Sequence, residues 1–260
     1  MLDVEWFGRH HVGVAEMSDE PTEIRNSAGE RLDFTYHRAG VVRGPVVVIG
    51  HGVTGHKDRP FLVALAEGLA REGIAALRFS FSGNAGSDGR FEHSNISKRV
   101  EDLGAVLDAL AGREIAYAGH SMGGAVGVLC ARRDRRIRLL VSLAAMVHTA
   151  AFVERAFGDL APGDLMLGNP GCFLSQRYLD DLRAIGSVLQ HAAEISVPWL
   201  FVHGDRDTVV PIQDTYDAYA RAPRRKKLVT LEGADHVFEP GLTARMVATV
   251  TEWCLKQWAP

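Results

Sequence analysis

Residues 115–124 read Ile115-Ala116-Tyr117-Ala118-Gly119-His120-Ser121-Met122-Gly123-Gly124. A short apolar run ends, a serine follows with glycines two positions before and two after it, and a helix of small residues begins. This strand–turn–helix context is the one in which Gly-x-Ser-x-Gly forms a nucleophile elbow. The serine must sit on a sharp, strained turn so that its hydroxyl projects above the sheet. Side chains at the flanking positions would collide with the neighbouring strand and helix, which is why glycine stands there. In a chain with 27 glycines the motif alone could be an ordinary glycine turn. Its surroundings carry the weight.

Upstream, Val46-Val47-Val48-Ile49 is a continuous β-branched run, the mark of a strand buried on both faces of a parallel sheet. Pro45 is tolerated just before it, at a position that need not donate to the ladder. From Asp58 to Glu72, Phe61, Leu62, Leu65, Leu69 and Ala70 recur at helical spacing. Ile74 to Phe79 reads as the next strand. Val100, Leu103, Val106, Leu107 and Leu110 share one face of a helix over 96–110. The alternation continues with strands to Ala118 and over 137–143, 198–202 and 227–231, and helices over 121–131, 212–222 and 242–258. Repeated β-α units imply a mostly parallel central sheet with right-handed crossovers and helices on both faces. Thr22 to Arg25, a turn at Asn26-Ser27-Ala28-Gly29, and Arg31 to His37 read as an N-terminal antiparallel hairpin at the sheet's edge.

The expectation is therefore an α/β fold in one domain, 1–260. One stretch breaks the pattern. From Ala144 to Glu194 no strand appears, while Pro162-Gly163, Pro170-Gly171 and short apolar helical segments do. A small helical cap insertion at about 146–192, on the side where the strands' carboxyl ends open, is expected.

Composition narrows the function. The chain is 47% hydrophobic and 23% charged with a net charge of −3, values of an ordinary globular protein. No electrostatic case exists for nucleic acid or an anionic membrane as partner. The basic clusters Arg132–Arg136 and Arg224–Lys227 sit beside strand starts and read as solvated turns. Cys130, Cys172 and Cys254 are too scattered for a disulfide framework or a zinc site, so no metal and no cofactor is expected. Met1-Leu2-Asp3-Val4-Glu5-Trp6 lacks the basic-then-apolar order of a signal peptide. No apolar stretch is long enough to span a bilayer. A cytoplasmic location is expected.

Serine needs a base to take its proton and an acid to orient that base. After a nucleophile elbow the order is Ser, then Asp or Glu, then His. Leu200-Phe201-Val202-His203-Gly204-Asp205-Arg206-Asp207 leaves a strand into an acidic loop closed by Val209-Val210-Pro211. Leu231-Glu232-Gly233-Ala234-Asp235-His236 leaves the next strand into a histidine. Asp205 and Asp207 both qualify on chemistry. Asp207 lies deeper in its loop and is favoured, whereas Asp205 fits a turn-capping role. Asp235, adjacent to His236, points elsewhere. Of eleven histidines, His236 alone is late, follows a strand and sits in a loop able to reach back to Ser121. Two oxyanion donors are expected: the backbone N–H of Met122, at the start of the elbow helix, and that of Val53, in the glycine-bearing loop His51-Gly52-Val53-Thr54-Gly55. His51 and His56 lack the companions a metal would need.

Five blocks together resemble the α/β-hydrolase superfamily, in its branch of small bacterial esterases that includes feruloyl and cinnamoyl esterases and serine aminopeptidase-like hydrolases. They are His51-Gly52-x-x-Gly55-x-Lys57, Arg78-Phe79-x-Phe81-Ser82-Gly83-x-x-x-Ser87-Asp88-Gly89, Gly119-His120-Ser121-Met122-Gly123-Gly124, His203-Gly204-x-x-Asp207-x-x-Val210-Pro211 and Asp235-His236. The resemblance implies Ser121 as nucleophile, Asp207 as acid and His236 as base, with oxyanion N–H groups from Val53 and Met122. Three positions depart from it. Val53 stands where feruloyl esterases carry an aromatic, Ser80 where Asp is common, and Ala85 where Gly is common.

A serine hydrolase acting on a small-molecule carboxylic ester through an acyl-enzyme is the function expected, with activity rising as His236 loses its proton. Amide, thioester and C–C bond hydrolysis on the same triad, and a non-catalytic binding protein of the same fold, are the alternatives. Phe152, Met166, Phe173 and Tyr178 are candidates for pocket walls, though apolar residues there more often form cap core.

Overall fold

The computed structural model describes residues 20–40, 44–239 and 241–259. The stretch Met1–Trp6, read above for a leader, lies outside them. Seven strands form one sheet: β1 (Phe34–His37), β2 (Val46–Gly50), β3 (Ala75–Phe79), β4 (Ile115–His120), β5 (Ile137–Leu143), β6 (Trp199–Gly204) and β7 (Lys226–Leu231). Their order across the sheet is β1-β3-β2-β4-β5-β6-β7. Every neighbouring pair is parallel except β1 with β3.

The helices are α1 (Pro60–Arg71), α2 (Ile96–Ala109), α3 (Met122–Ala131), α4 (Thr149–Phe157), α5 (Gln176–Ile185), α6 (Ile212–Arg221) and α7 (Thr243–Trp258). In β2, Val46 and Val48 pack into the core shared with α2 and α3, and Val47 and Ile49 into the core shared with α1 and α7. Both sides of that strand are covered, which is why its sequence shows no polar alternation. Helix α3 is buried almost all round, so small residues must fill it: a Cβ at Gly124 would meet the Ala145 Cβ at 2.3 Å.

The chain leaves β2 through α1 to β3 on one side, then returns through α2 to β4 on the other. Strand order reverses between β2 and β4, and the loops after those two strands diverge around a crevice at the sheet's carboxyl edge. Open α/β sheets bind ligands at such a switch point. The elbow serine follows β4 and the loop 51–59 follows β2, so topology alone brings them together.

The N-terminal hairpin is only partly as expected. The turn forms, with the Asn26 Oδ1 accepting from the N–H groups of Ala28 and Glu30, but its arms meet in a single antiparallel bridge, Arg25 to Arg31. The strand beyond it, β1, pairs with β3 instead of with residues 22–25. Asn26 is tied to the buried Asp102 of α2 by a 2.7 Å hydrogen bond, which holds the turn against the domain rather than along the sheet edge.

Between β5 and β6 the chain forms α4, α5 and short 3-10 turns at Met166–Gly168 and Leu189–Glu194. The one β-type contact there is an isolated bridge between Leu165 and Phe173. Main-chain N–H groups of Val147 and His148 donate to the buried Asp214 carboxylate of α6. Ser175 Oγ donates to Glu92 O at 2.6 Å. The segment is thereby anchored on both flanks of the crevice.

Candidate active site

Ser121 has φ 54° and ψ −120°, a conformation that costs a non-glycine residue on the order of 1–3 kcal/mol. Its neighbours explain why the strain persists. Ser121 N–H donates to Leu143 O at 2.9 Å, and Ser121 O accepts from Gly124 N and Met146 N. A Cβ at Gly119 would lie 2.2 Å from Gly123 O, and one at Gly123 would lie 2.8 Å from His51 O. Both flanking positions thus exclude any side chain, in agreement with the sterics of the motif. The Ser121 hydroxyl caps no N–H of α3.

Asp207 and His236 meet across the ends of β6 and β7. His236 Nδ1 lies 2.7 Å from Asp207 Oδ2. The carboxylate accepts only, so Nδ1 carries the hydrogen and the neutral ring keeps its lone pair on Nε2. Asp207 Oδ1 accepts from the N–H groups of Val209 and Val210. The carboxylate is wholly buried. Burial by itself would raise its pKa, but hydrogen bonds from His203, His236 and the Val210 N–H outweigh that and hold it well below the usual carboxylate range. Asp205 instead accepts from Gly233 N–H, and Asp235 from Val237 and Glu239 N–H. Neither carboxylate bonds to the His236 ring.

Two supporting histidines escaped the sequence reading. His203 Nε2 lies 3.0 Å from Asp207 Oδ2 and 3.1 Å from Val210 O, both acceptors, while Nδ1 lies 2.7 Å from Thr215 Oγ1. That set assigns Nε2–H as the donor and Nδ1 as the acceptor of the threonine hydroxyl. His203 therefore fixes the carboxylate that fixes His236. His120 donates from Nε2 to His236 O at 2.8 Å, its ring centroid 4.6 Å from that of His236 and 4.7 Å from that of Phe61. Burial, reinforced by the nearby His236, pushes the His120 ring down to about 3, so it stays neutral.

The loop after β2 is held by its carbonyl. Gly52 O accepts from His51 Nδ1 at 2.8 Å and from Arg99 Nη1 at 2.9 Å, while His51 Nε2 accepts from Phe81 N–H at 3.0 Å. Both ring nitrogens of His51 are thus committed, which leaves no lone pair for a metal. In a trans peptide the N–H points opposite to the C=O, so anchoring Gly52 O aims Val53 N–H the other way. Among the described residues no acceptor takes up the backbone N–H of Val53 or of Met122. A Cβ at Gly52 would stand 2.7 Å from Ser121 Cβ, so this backbone lies directly against the serine. Thr54 is held at φ 51°.

The departures noted in sequence have local explanations. Ser80 Oγ accepts from Lys57 N–H at 3.1 Å and so braces the same loop. Ala85 sits at φ 48°, in the left-handed region that glycine occupies without penalty.

Ser121, His236, His120, Gly52 and Val53 share one cavity of about 170 Å³, walled by Phe61, Phe152, Leu167, Val209 and Val237, with Arg59 and Asn169 also in its lining. Ser121 Oγ has no side-chain hydrogen-bond partner among the described residues; such contacts are often long without substrate and tighten when it binds. Of the four candidate wall residues, Phe152 lines the cavity, Met166 and Tyr178 are core, and Phe173 is exposed. A larger groove of about 690 Å³ between α1 and α7 holds none of the candidate residues.

A mostly parallel sheet with one antiparallel edge, carrying a serine on a strained elbow at its switch point, is the architecture of the α/β hydrolases. The chain belongs to that family: the model described as "Alpha/beta hydrolase domain" matches residues 43–248. A search of curated proteins found no match. Among solved structures, the chain is similar to Est1E from Butyrivibrio proteoclasticus with ferulic acid bound, at 27% identity over 92% of this chain and 99% of that one, with a TM-score of 0.82. It is also similar to alpha/beta hydrolase domain-containing protein 10 from mouse (18% identity, 91% and 98% coverage, TM-score 0.75). A third is the monoacylglycerol lipase of Paleococcus ferrophilus (19% identity, 86% and 98% coverage, TM-score 0.68). The last two likenesses are of fold. Among the described residues no helix is long and apolar enough to cross a membrane.

Proposed function

We propose that the protein is a serine hydrolase that cleaves carboxylic esters of small molecules through an acyl-enzyme. Ser121 Oγ attacks the acyl carbon while His236 Nε2 takes its proton. Asp207 holds the ring in the required tautomer and stabilises the imidazolium. The tetrahedral oxyanion accepts from the N–H groups of Val53 and Met122. His236 then gives its proton to the departing alkoxide, and water, deprotonated by the same ring, releases the acid. The segment at about 146–192 acts as a cap within a single domain, contributing Phe152, Leu167 and Asn169 to the cavity.

The observation that carries this reading is the 2.7 Å bond between His236 and Asp207, with His236 lining the same cavity as a serine in a strained elbow conformation. The likeness to Est1E with ferulic acid bound supports an ester of a carboxylic acid over other substrates. An alkoxide also leaves more readily than an amine. The test is Ser121→Ala assayed with chromogenic esters of increasing acyl length, aryl and cinnamoyl members included. The variant is expected to fold normally and lose nearly all turnover; wild-type hydrolysis by it would eliminate the mechanism.

A further inference from the structure

The cavity lining contains one permanently charged side chain, Arg59, and no carboxylate. The neighbouring cations are neutralised. Lys57 Nζ lies 2.9 Å from Asp58 and 3.6 Å from Asp33, and Arg78 pairs with the same Asp58. Arg59 has nothing comparable. Among the described residues its guanidinium makes one hydrogen bond, from Nη2 to Thr54 O at a long 3.4 Å, and has no acidic partner within ion-pair distance. Asn169, also in the lining, has both amide hydrogens committed, to Thr54 Oγ1 and Leu167 O. It cannot donate to an anion as well.

A guanidinium with four N–H groups unengaged among the described residues, in a cavity lined by no carboxylate, is set up to receive a planar anion. We infer that Arg59 is a specificity-determining residue that selects esters bearing a carboxylate a few bonds from the scissile carbonyl, which rests on the ester-hydrolase reading above. The 170 Å³ cavity limits such a substrate to a short chain. The reaction is ordinary hydrolysis: water adds across the acyl–oxygen bond, and the distant carboxylate is unchanged. Its charge serves recognition only.

The test compares charged esters with neutral isosteres. On the acyl side, the aryl monoester of glutaric acid is set against the same compound with its free carboxyl methylated. On the alcohol side, 4-carboxyphenyl acetate is set against its methyl ester. The wild type is expected to favour the charged member of one series by about tenfold or more in kcat/KM. Arg59→Gln should remove that preference by lowering kcat/KM for the charged member about tenfold relative to its neutral isostere, and Arg59→Lys should restore part of it. Arg59 caps α1 without a side-chain bond, so these variants keep the fold. Equal rates for charged and neutral esters in both series, or a preference that survives Arg59→Gln, would overturn the inference. Binding to Ser121→Ala separates this from failure of the hydrolase reading. There, monomethyl glutarate should bind at least about tenfold tighter than dimethyl glutarate, and Arg59→Gln in that background should abolish the difference. If no ester is turned over yet this difference appears, the hydrolase reading falls and the anion site stands; if the difference is absent, the anion site falls.

Discussion

Replacing Arg99 with methionine tests how the proposed oxyanion loop is held in place. Arg99 is fully buried on α2. It reaches Gly52 O through Nη1, Ser94 through Nε and Asn84 through Nη2, with its guanidinium 4.9 Å from the Phe81 centroid. None of these partners is a carboxylate, but Gly52 O and Ser94 O each lose a donor and the buried Asn84 Oδ1 loses the one it has among the described residues, so Arg99→Met is expected to lower stability by about 2 kcal/mol while remaining folded. The effect on chemistry should be larger. Gly52 O loses one of its two donors, a charge-assisted bond of about 1.5–3 kcal/mol, and the Val53 N–H loses its aim. Complete loss of one oxyanion donor costs roughly 10²–10³ in kcat. His51 still holds Gly52 O, so the expected fall is at the lower end, about 10². KM should stay within about threefold, because the carbonyl in the ground state gains little from that donor. A trifluoromethyl ketone, whose adduct carries the oxyanion, should bind more weakly by about the same factor as kcat falls. The assay is kcat and KM on 4-nitrophenyl butyrate, the ketone's inhibition constant, and a thermal melt. A folded Arg99→Met enzyme with unchanged kcat and unchanged ketone affinity would refute the reasoning.

Other expectations follow from the same contacts. His203→Phe deprives the buried Asp207 of a 3.0 Å donor and should destabilise the fold by about 2 kcal/mol in urea titrations, with kcat reduced and KM little changed. The buried imidazoles of His51 and His120 have folded pKa values depressed by burial, His120 to about 3. Their contribution is intact above the unfolded value of about 6.5 and is lost as pH falls toward the folded one, because only the unfolded chain takes up those protons. For His120 the unfolding free energy should therefore drop by roughly 2 kcal/mol as pH falls through 6.5 to 5, with His51 acting in the same direction, and His120→Gln should remove its share; a flat profile would contradict this. Ala85→Gly relieves a positive-φ residue on an exposed loop and should raise stability by up to about 1 kcal/mol, read as a shift in melting temperature.

The elbow and the β-α alternation were legible because each rests on local chemistry: two glycines with no room for a side chain, and runs of Val and Ile buried on both faces. The choice of Asp207 over Asp205 also followed from loop position, and the carboxylate of Asp207 is the one bonded to His236. The edge of the sheet was not readable. The turn at Asn26 is a genuine local signal, but the partner of β1 is β3, some 40 residues away in sequence, and nothing in residues 34–37 encodes that register. His203, His120 and Arg99 were missed because they act on carbonyls and on the second bond of a carboxylate oxygen, contacts that leave no spacing rule. Arg99 did leave one trace. It occupies the same helical face as Leu103, Val106 and Leu110, and a charge on a core stripe signals a buried task.

The most direct measurement is the mass of the protein after brief exposure to 4-nitrophenyl acetate with an acid quench. A single acetyl group on the peptide containing Ser121 is expected, absent from Ser121→Ala and slow to form in His236→Ala. No adduct during measurable turnover, or acetylation at another residue that persists in Ser121→Ala, would contradict an acyl-enzyme at Ser121.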